Sequence, residues 1–226
     1  MAIPKDIKWV TFDIYGTLID WENGVYEAFK AEAERTDFAL PDKNKVTEAF
    51  MRHQQAIKSG SYELYAEVLR RTALAVAEEF EWDLESSRSN FLPLSVERWK
   101  PFREANAALD RIAKKYKVGL VGNIDDKLLV MSRRHIRSDF DIVVTAQQVR
   151  SYKPELAHFK ECQRRIGTKK DWIHVGSSYF YDVAPALANK LPAIWVNRKG
   201  EKLTSKEKKP TATVKNMRDV ANILKA

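Results

Sequence analysis

Trp9-Val10-Thr11-Phe12-Asp13-Ile14-Tyr15-Gly16-Thr17 is the stretch on which the reading of this chain turns. Its first four residues are β-branched or aromatic and carry no charge, which predicts a short strand buried on both faces. The run stops on an acid, and Gly16-Thr17 then turns the chain. A carboxylate at the end of a buried strand is costly to desolvate, so Asp13 needs a partner or a task.

Outward from that strand the chain shows two patterns. Beyond about Asn23, as far as Leu92, no strand is visible, and apolar spacing predicts helices over 25–35, 45–58, 62–80 and 85–91. Gly60, Glu81-Trp82-Asp83 and Pro93 punctuate them. After Pro101 helix and strand alternate: helix 103–116 leads to strand 118–121, and helix 127–136 to strand 142–145. Helix 155–166 leads to strand 172–175, helix 183–189 to strand 193–196, and a helix over 216–224 closes the chain. Alternation of this kind predicts a parallel sheet covered on both faces. The expected fold is α/β: a Rossmann-like parallel-sheet core over residues 1–20 and 95–226, with a helical cap inserted over residues 21–94.

Open parallel sheets bind ligands outside the carboxyl ends of their strands. Asp13 and Thr17 follow the first strand, Gly122-Asn123 the second, and Ser151-Tyr152-Lys153-Pro154 the third. Ser177 and, a turn later, Asp182 follow the fourth. Four distant segments therefore bring two carboxylates and an ammonium to one edge. A carboxylate can be a covalent nucleophile when it is ionised and aimed. Burial raises its pKa and a nearby ammonium lowers it again, a charge Lys153 can supply. Asp182 can balance Lys153 and orient or deprotonate a water. The same three residues would also make a purely structural ion network.

Composition narrows the classes. With 226 residues, 44% hydrophobic and 31% charged, the chain is neither disordered nor collagen-like. Cys162 alone cannot form an internal disulfide or a cysteine-rich metal site, and a reducing cytoplasm is the expected compartment. No run approaches the ~20 apolar residues of a membrane span, and Met1-Ala2-Ile3-Pro4-Lys5-Asp6 lacks the apolar segment of a secretory signal. Much of the net charge of +8 sits in Arg198-Lys199-Gly200-Glu201-Lys202 and Lys206-Glu207-Lys208-Lys209. Without zinc-finger spacing or an aromatic RNA-binding signature, this reads as a solvated loop able to draw in a small acidic substrate, with no nucleic-acid partner expected. His53, His135, His158 and His174 fall away from the strand ends and no Gly-x-Ser-x-Gly elbow exists, so a Ser-His-Asp mechanism is excluded and the histidines read as surface or packing residues. Cys162 reads as a buried apolar filler. With no Gly-x-Gly-x-x-Gly or Walker loop, no nucleotide cofactor is expected.

Phe12-Asp13-Ile14-Tyr15-Gly16-Thr17-Leu18, Asn123, Tyr152-Lys153-Pro154 and the Gly176-Ser177 to Asp182 segment resemble the haloacid dehalogenase superfamily, in order and spacing over nearly the whole chain. Phosphatases of that superfamily carry a second aspartate two residues after the nucleophile, which protonates the leaving alcohol oxygen; here the position is Tyr15. They also keep an acidic residue after the glycine of the fourth motif, which helps hold Mg²⁺; here it is Ser177. A halide leaves without a proton, and a hard dication wants charged oxygen ligands. The Asp-x-Tyr-Gly-Thr form thus resembles the L-2-haloacid dehalogenase (type II) branch, which implies displacement at carbon with no metal and no cofactor.

In that branch's terms, the resemblance implies that Asp13 attacks the halogen-bearing carbon of a short (S)-2-haloacid and inverts it. Water placed around Ser177 and Asp182 then hydrolyses the Asp13 ester to give a 2-hydroxy acid. Lys153 keeps Asp13 charged, Thr17 orients it, and Asn123 helps bind the halide. Lys43, or alternatively Arg52, stands in for a halide-receiving cap arginine. Gly122, Phe159 and Tyr179 replace a serine, a tyrosine and an asparagine of the branch, which leaves the substrate range open. Tyr15, Trp21, Tyr179, Phe180 and Tyr181 are candidate pocket aromatics, and the cap residues Trp21 and Lys43 would exclude water. Relatives of this kind often pair, so a homodimer is a further expectation. Two rivals stay open: a Mg²⁺-dependent phosphatase using Asp13, the Ile14 carbonyl and Asp182, and a binding protein that keeps the fold without turnover.

Overall fold

The computed structural model describes residues 3–226; Met1 and Ala2, with which the expected core and the segment read for a secretory signal begin, lie outside the described residues. The chain opens with strand β1 (Trp9–Phe12), followed by helices α1 (Trp21–Arg35), α2 (Lys43–Lys58), α3 (Tyr65–Glu79) and α4 (Phe91–Ser95). Then come α5 (Ala105–Ala113), β2 (Lys117–Gly122), α6 (Asp126–Arg133), β3 (Ile142–Thr145), α7 (Ala146–Val149) and α8 (Ala157–Ile166). The last elements are β4 (Trp172–Gly176), α9 (Ala184–Ala188), β5 (Ala193–Val196), β6 (Ala212–Val214) and α10 (Met217–Ile223). Among the described residues no helix is long and apolar enough to cross a membrane.

The chain divides into two compact units. The first, residues 1–20, 101–123 and 135–226, carries the sheet. Its six strands run in the order β3-β2-β1-β4-β5-β6, and every pairing is parallel. Helices over both faces leave the central strands without a wet side, so they are mostly apolar: Val10, Phe12, Leu120, Val121, Ile173, Val175 and Ile194 are fully buried, as are the polar Thr11 and His174. Chain order reverses between β1 and β4, the switch point where parallel sheets bind ligands. Register sets Phe12 level with Leu120 and with Val175, so the carboxyl ends of β1, β2 and β4 fall within two residues of one another. Five strands are expected from the sequence and six are observed among the described residues. β6 escapes because Ala212-Thr213-Val214 is a three-residue edge strand after a lysine-rich stretch, too short to show a period.

The second unit comprises residues 21–100 and 124–134. It is helical around a core that includes Val25, Phe29, Phe50, Leu69, Leu92 and Trp99. Gly24 is needed there, since a Cβ at that position would lie 2.4 Å from the Trp99 ring. The helix expected over 85–91 is instead a 3₁₀ turn, Ser86–Asn90, continued by α4. Pro93 lies inside α4 rather than ending it, because an N–H in the first helical turn has no intrahelical partner to lose. Residues 124–134 join this unit through Asp125. The first turn of α3 has no side-chain cap of its own at Leu64, and the Asp125 carboxylate accepts from the Tyr65 and Ala66 N–H groups at 2.7 and 2.8 Å.

Candidate active site

Asp13 leaves the end of β1 with its N–H bonded to the Val175 carbonyl at 2.9 Å, which pins its backbone to β4. Its side chain is 10% exposed. Lys153 Nζ donates to Oδ1 at 2.8 Å and Thr17 Oγ1 donates to Oδ2 at 2.9 Å. The ammonium also donates to Asp182 Oδ1 at 2.6 Å and to the Val121 carbonyl at 2.9 Å, so all three of its N–H bonds are used. Asp182 completes its set by accepting the Ser178 N–H on Oδ2.

These contacts shift the acids in opposite directions. Burial, and then the Asp182 carboxylate, push Asp13 up to about 6, with Lys153 and Thr17 pulling the other way. For Asp182 burial also acts upward, yet the Lys153 ammonium and His174 outweigh it and bring the group down to about 2. Burial works against the Lys153 charge, but the two carboxylates prevail and hold its pKa above the ordinary lysine value. At neutral pH the trio is one buried cation between two anions.

Local sequence explains the placement. Gly16, at φ 87°, takes the left-handed backbone that lets the chain reverse after Tyr15. Thr17 then returns to Asp13, and its hydroxyl also accepts the Ser177 N–H at 2.9 Å, tying the loops after β1 and β4 together. Gly176 admits Asp182: a Cβ on it would stand 2.3 Å from the Asp182 Cβ. Asp182 sits on a single π-helical turn, Tyr179–Val183, that precedes α9. Asn123 accepts the Lys153 N–H at 2.7 Å and donates to the Lys153 carbonyl at 3.1 Å, so it holds the backbone of the lysine.

Asp13, Thr17, Lys153, Ser177, Asp182 and Asn123 therefore meet within the sheet unit. Tyr15 is half-buried on the turn and bridges to Ile19. Tyr179 turns its hydroxyl to the Lys208 carbonyl at 2.8 Å and packs edge-on against Trp195, and Phe180 is half exposed beside Tyr181. Lys43 belongs to the helical unit, where it donates to Asn23. Arg52, in the same unit, is engaged by both oxygens of Glu79 at 2.6 Å.

Two groups near Asp13 depart from what the sequence suggests: His174, expected as a surface or packing residue, and Arg198, expected in a solvated basic loop. His174 is fully buried in β4: its Nδ1 lies 2.9 Å from Thr11 Oγ1 and its Nε2 lies 3.7 Å from Asp182 Oδ1. Burial keeps the imidazole below its ordinary pKa, so it faces Asp182 as a neutral group. The signal was a polar residue inside an otherwise apolar strand. Arg198, just past β5, donates to the Gly16 carbonyl at 2.9 Å and to the Thr17 carbonyl at 2.8 Å. Its place in a basic run hid it.

A magnesium ion, which phosphatases of this fold use, is a poor match for these groups. Each carboxylate already accepts Lys153, Ser177 supplies no charge, and among the described residues no three acidic, histidine or cysteine side chains converge as ligands.

Comparison with known proteins agrees with this architecture. The chain is 24% identical to an (S)-2-haloacid dehalogenase of Pseudomonas sp. strain YL, over 96% of this chain and 94% of that one. It is 28% identical to a glyceraldehyde 3-phosphate phosphatase of Methanothermobacter thermautotrophicus, over 84% and 86% of the two chains. The fold superposes with a TM-score of 0.81 on L-2-haloacid dehalogenase from Xanthobacter autotrophicus with chloropropionic acid covalently bound, at 18% identity over 97% and 99% of the chains. A family model for haloacid dehalogenase-like hydrolases matches residues 7–189, most of the sheet unit and the whole of the helical one. The chain belongs to the haloacid dehalogenase-like hydrolase family.

Proposed function

We propose that the protein hydrolyses the carbon–halogen bond of a short (S)-2-haloacid through an ester of Asp13. The observation that carries this reading is the Asp13 carboxylate held between the Lys153 ammonium and the Thr17 hydroxyl, each donating to one of its oxygens. An Asp13 oxygen forms a bond to the halogen-bearing carbon as the halide leaves with its electron pair. Water then adds to the ester carbonyl and expels the 2-hydroxy acid, releasing a proton and restoring the carboxylate. Asp182, brought down to about 2, is a weak proton acceptor; its part is to hold Lys153 and, with Ser177, to orient the water. Holding the reacting groups in line contributes up to about 7–11 kcal/mol in well-ordered cases. Tyr15 supports the same reading, since halide departure needs no acid at that position. The relatives named as dehalogenases over nearly their full length support it as well.

A second reading, phosphoester hydrolysis, is favoured by the 28% identity to the glyceraldehyde 3-phosphate phosphatase. Halide release from 2-chloro-, 2-bromo- and fluoroacetate-type acids, run beside an aryl phosphate assay with and without chelator, separates the readings. Chelator-insensitive halide release, lost in Asp13→Asn, is the expected result. Aryl phosphate turnover that a chelator stops, without halide release, would install the phosphatase reading instead. Silence in both, with no adduct on Asp13, would leave a binding protein.

A further inference from the structure

Arg198 lies outside the Asp13–Lys153–Asp182 trio, yet two of its guanidinium nitrogens donate to the loop that carries Thr17, the hydroxyl partner of Asp13. Nε donates to the Gly16 carbonyl at 2.9 Å and Nη2 to the Thr17 carbonyl at 2.8 Å. Nη1 donates to Glu104 Oε1 at 2.8 Å, and the guanidinium carbon lies 3.5 Å from the Phe102 ring centroid. The planar fork is thus seated on an aromatic face, braced by a carboxylate, and aimed at two successive carbonyls. Arg198 is largely buried, with 19% of its side chain exposed. A surface arginine serving solubility would not be held on four sides.

The two carbonyls belong to the residues that aim Thr17. With its main chain held from behind, the Thr17 hydroxyl accepts from Ser177 N–H and donates to Asp13 Oδ2. We propose that Arg198 is a positioning residue for Asp13, acting through the Thr17 main chain to hold the hydroxyl that steadies the ionised carboxylate. Asp13 is faced by Lys153, Thr17 and Asp182, with His174 behind Asp182; Arg198 is faced by Glu104, Phe102 and the two carbonyls. A hydrogen bond donated to the carboxylate favours its charged form, so losing the Thr17 bond raises the Asp13 midpoint by about one unit or more. The inference builds on Asp13 as the reactive group, but its test uses no substrate, so it stands or falls apart from the substrate assay.

The test is the pH titration of the Asp13 carboxyl carbon by NMR in aspartate-labelled full-length protein, assigned by its loss in Asp13→Asn. The variants are Thr17→Val, Arg198→Ala, Arg198→Lys, and each arginine change combined with Thr17→Val. Both arginine variants are expected to raise the midpoint, and neither to raise it further once Thr17 is gone. A rise in Arg198→Ala but not in Arg198→Lys would overturn the proposal, because the effect would then be charge alone. Unchanged midpoints in folded variants would overturn it too, as would shifts that add fully to that of Thr17→Val. Glu104→Gln, which leaves the arginine in place and loosens its brace, is the milder variant: a smaller rise supports the proposal. If neither arginine variant folds, an unchanged midpoint in Glu104→Gln overturns it.

Discussion

Asp13 keeps its charge in spite of its surroundings, and that tension sets a pH dependence. Burial and the Asp182 carboxylate raise its pKa to about 6, above its ordinary 3.8, and Lys153 and Thr17 limit the rise. The attacking form is the anion. Turnover should therefore be constant above pH 7 and fall about tenfold per unit below about pH 6, as the carboxylate is protonated. A kcat profile from pH 4 to 8 checks this. A limb centred near 4 would mean that Asp13 titrates as an exposed acid, and the site would lose its buried character. The sequence made Asp13, Lys153 and Asp182 legible because each lies at or within eight residues after the carboxyl end of an apolar strand, where parallel sheets bind ligands. It did not disclose that Asn123 spends both ends of its amide on Lys153, that Tyr179 turns to Lys208, or that His174 faces Asp182. Those depend on side-chain direction across segments far apart in the chain, which spacing does not encode.

At the scale of elements, the strands β1 to β5 were readable because a parallel sheet covered on both faces demands continuous apolar runs, and few other segments of this chain supply them. Helix ends were less readable, since a cap can come from outside the helix. α3 starts at Tyr65 rather than Tyr62, and the residue that fixes its start is Asp125, about 60 positions along the chain. Nothing local to Leu64 predicts this. Asp125→Ala would leave two N–H groups of the first turn without their acceptor. The expected cost is about 1–3 kcal/mol in urea unfolding. Asp125→Asn keeps an acceptor oxygen and should lose less. Equal stability of Asp125→Ala and the parent would show that the cap contributes nothing.

For the whole molecule, charge and burial act on different steps. The net charge of +8 favours approach of an anionic substrate. Added salt shortens the screening length from about 30 Å at 0.01 M to about 8 Å at 0.15 M. Under the proposed function, kcat/KM should fall several-fold, roughly two to five, over that range. The buried trio is little screened, so kcat should hold. A matching fall in kcat would mean that salt reaches the trio itself.

The central claim is that an Asp13 oxygen becomes bonded to substrate carbon and that water then attacks the aspartyl carbonyl. Repeated turnover of 2-chloropropionate in H₂¹⁸O, followed by mass spectrometry of the peptide holding Asp13, tests this directly. The account predicts ¹⁸O in the Asp13 carboxylate, and a product from a single turnover with excess enzyme whose hydroxyl oxygen is unlabelled. Label in that first product, with Asp13 unlabelled throughout, would contradict it: water, not the aspartate, would have displaced the halide.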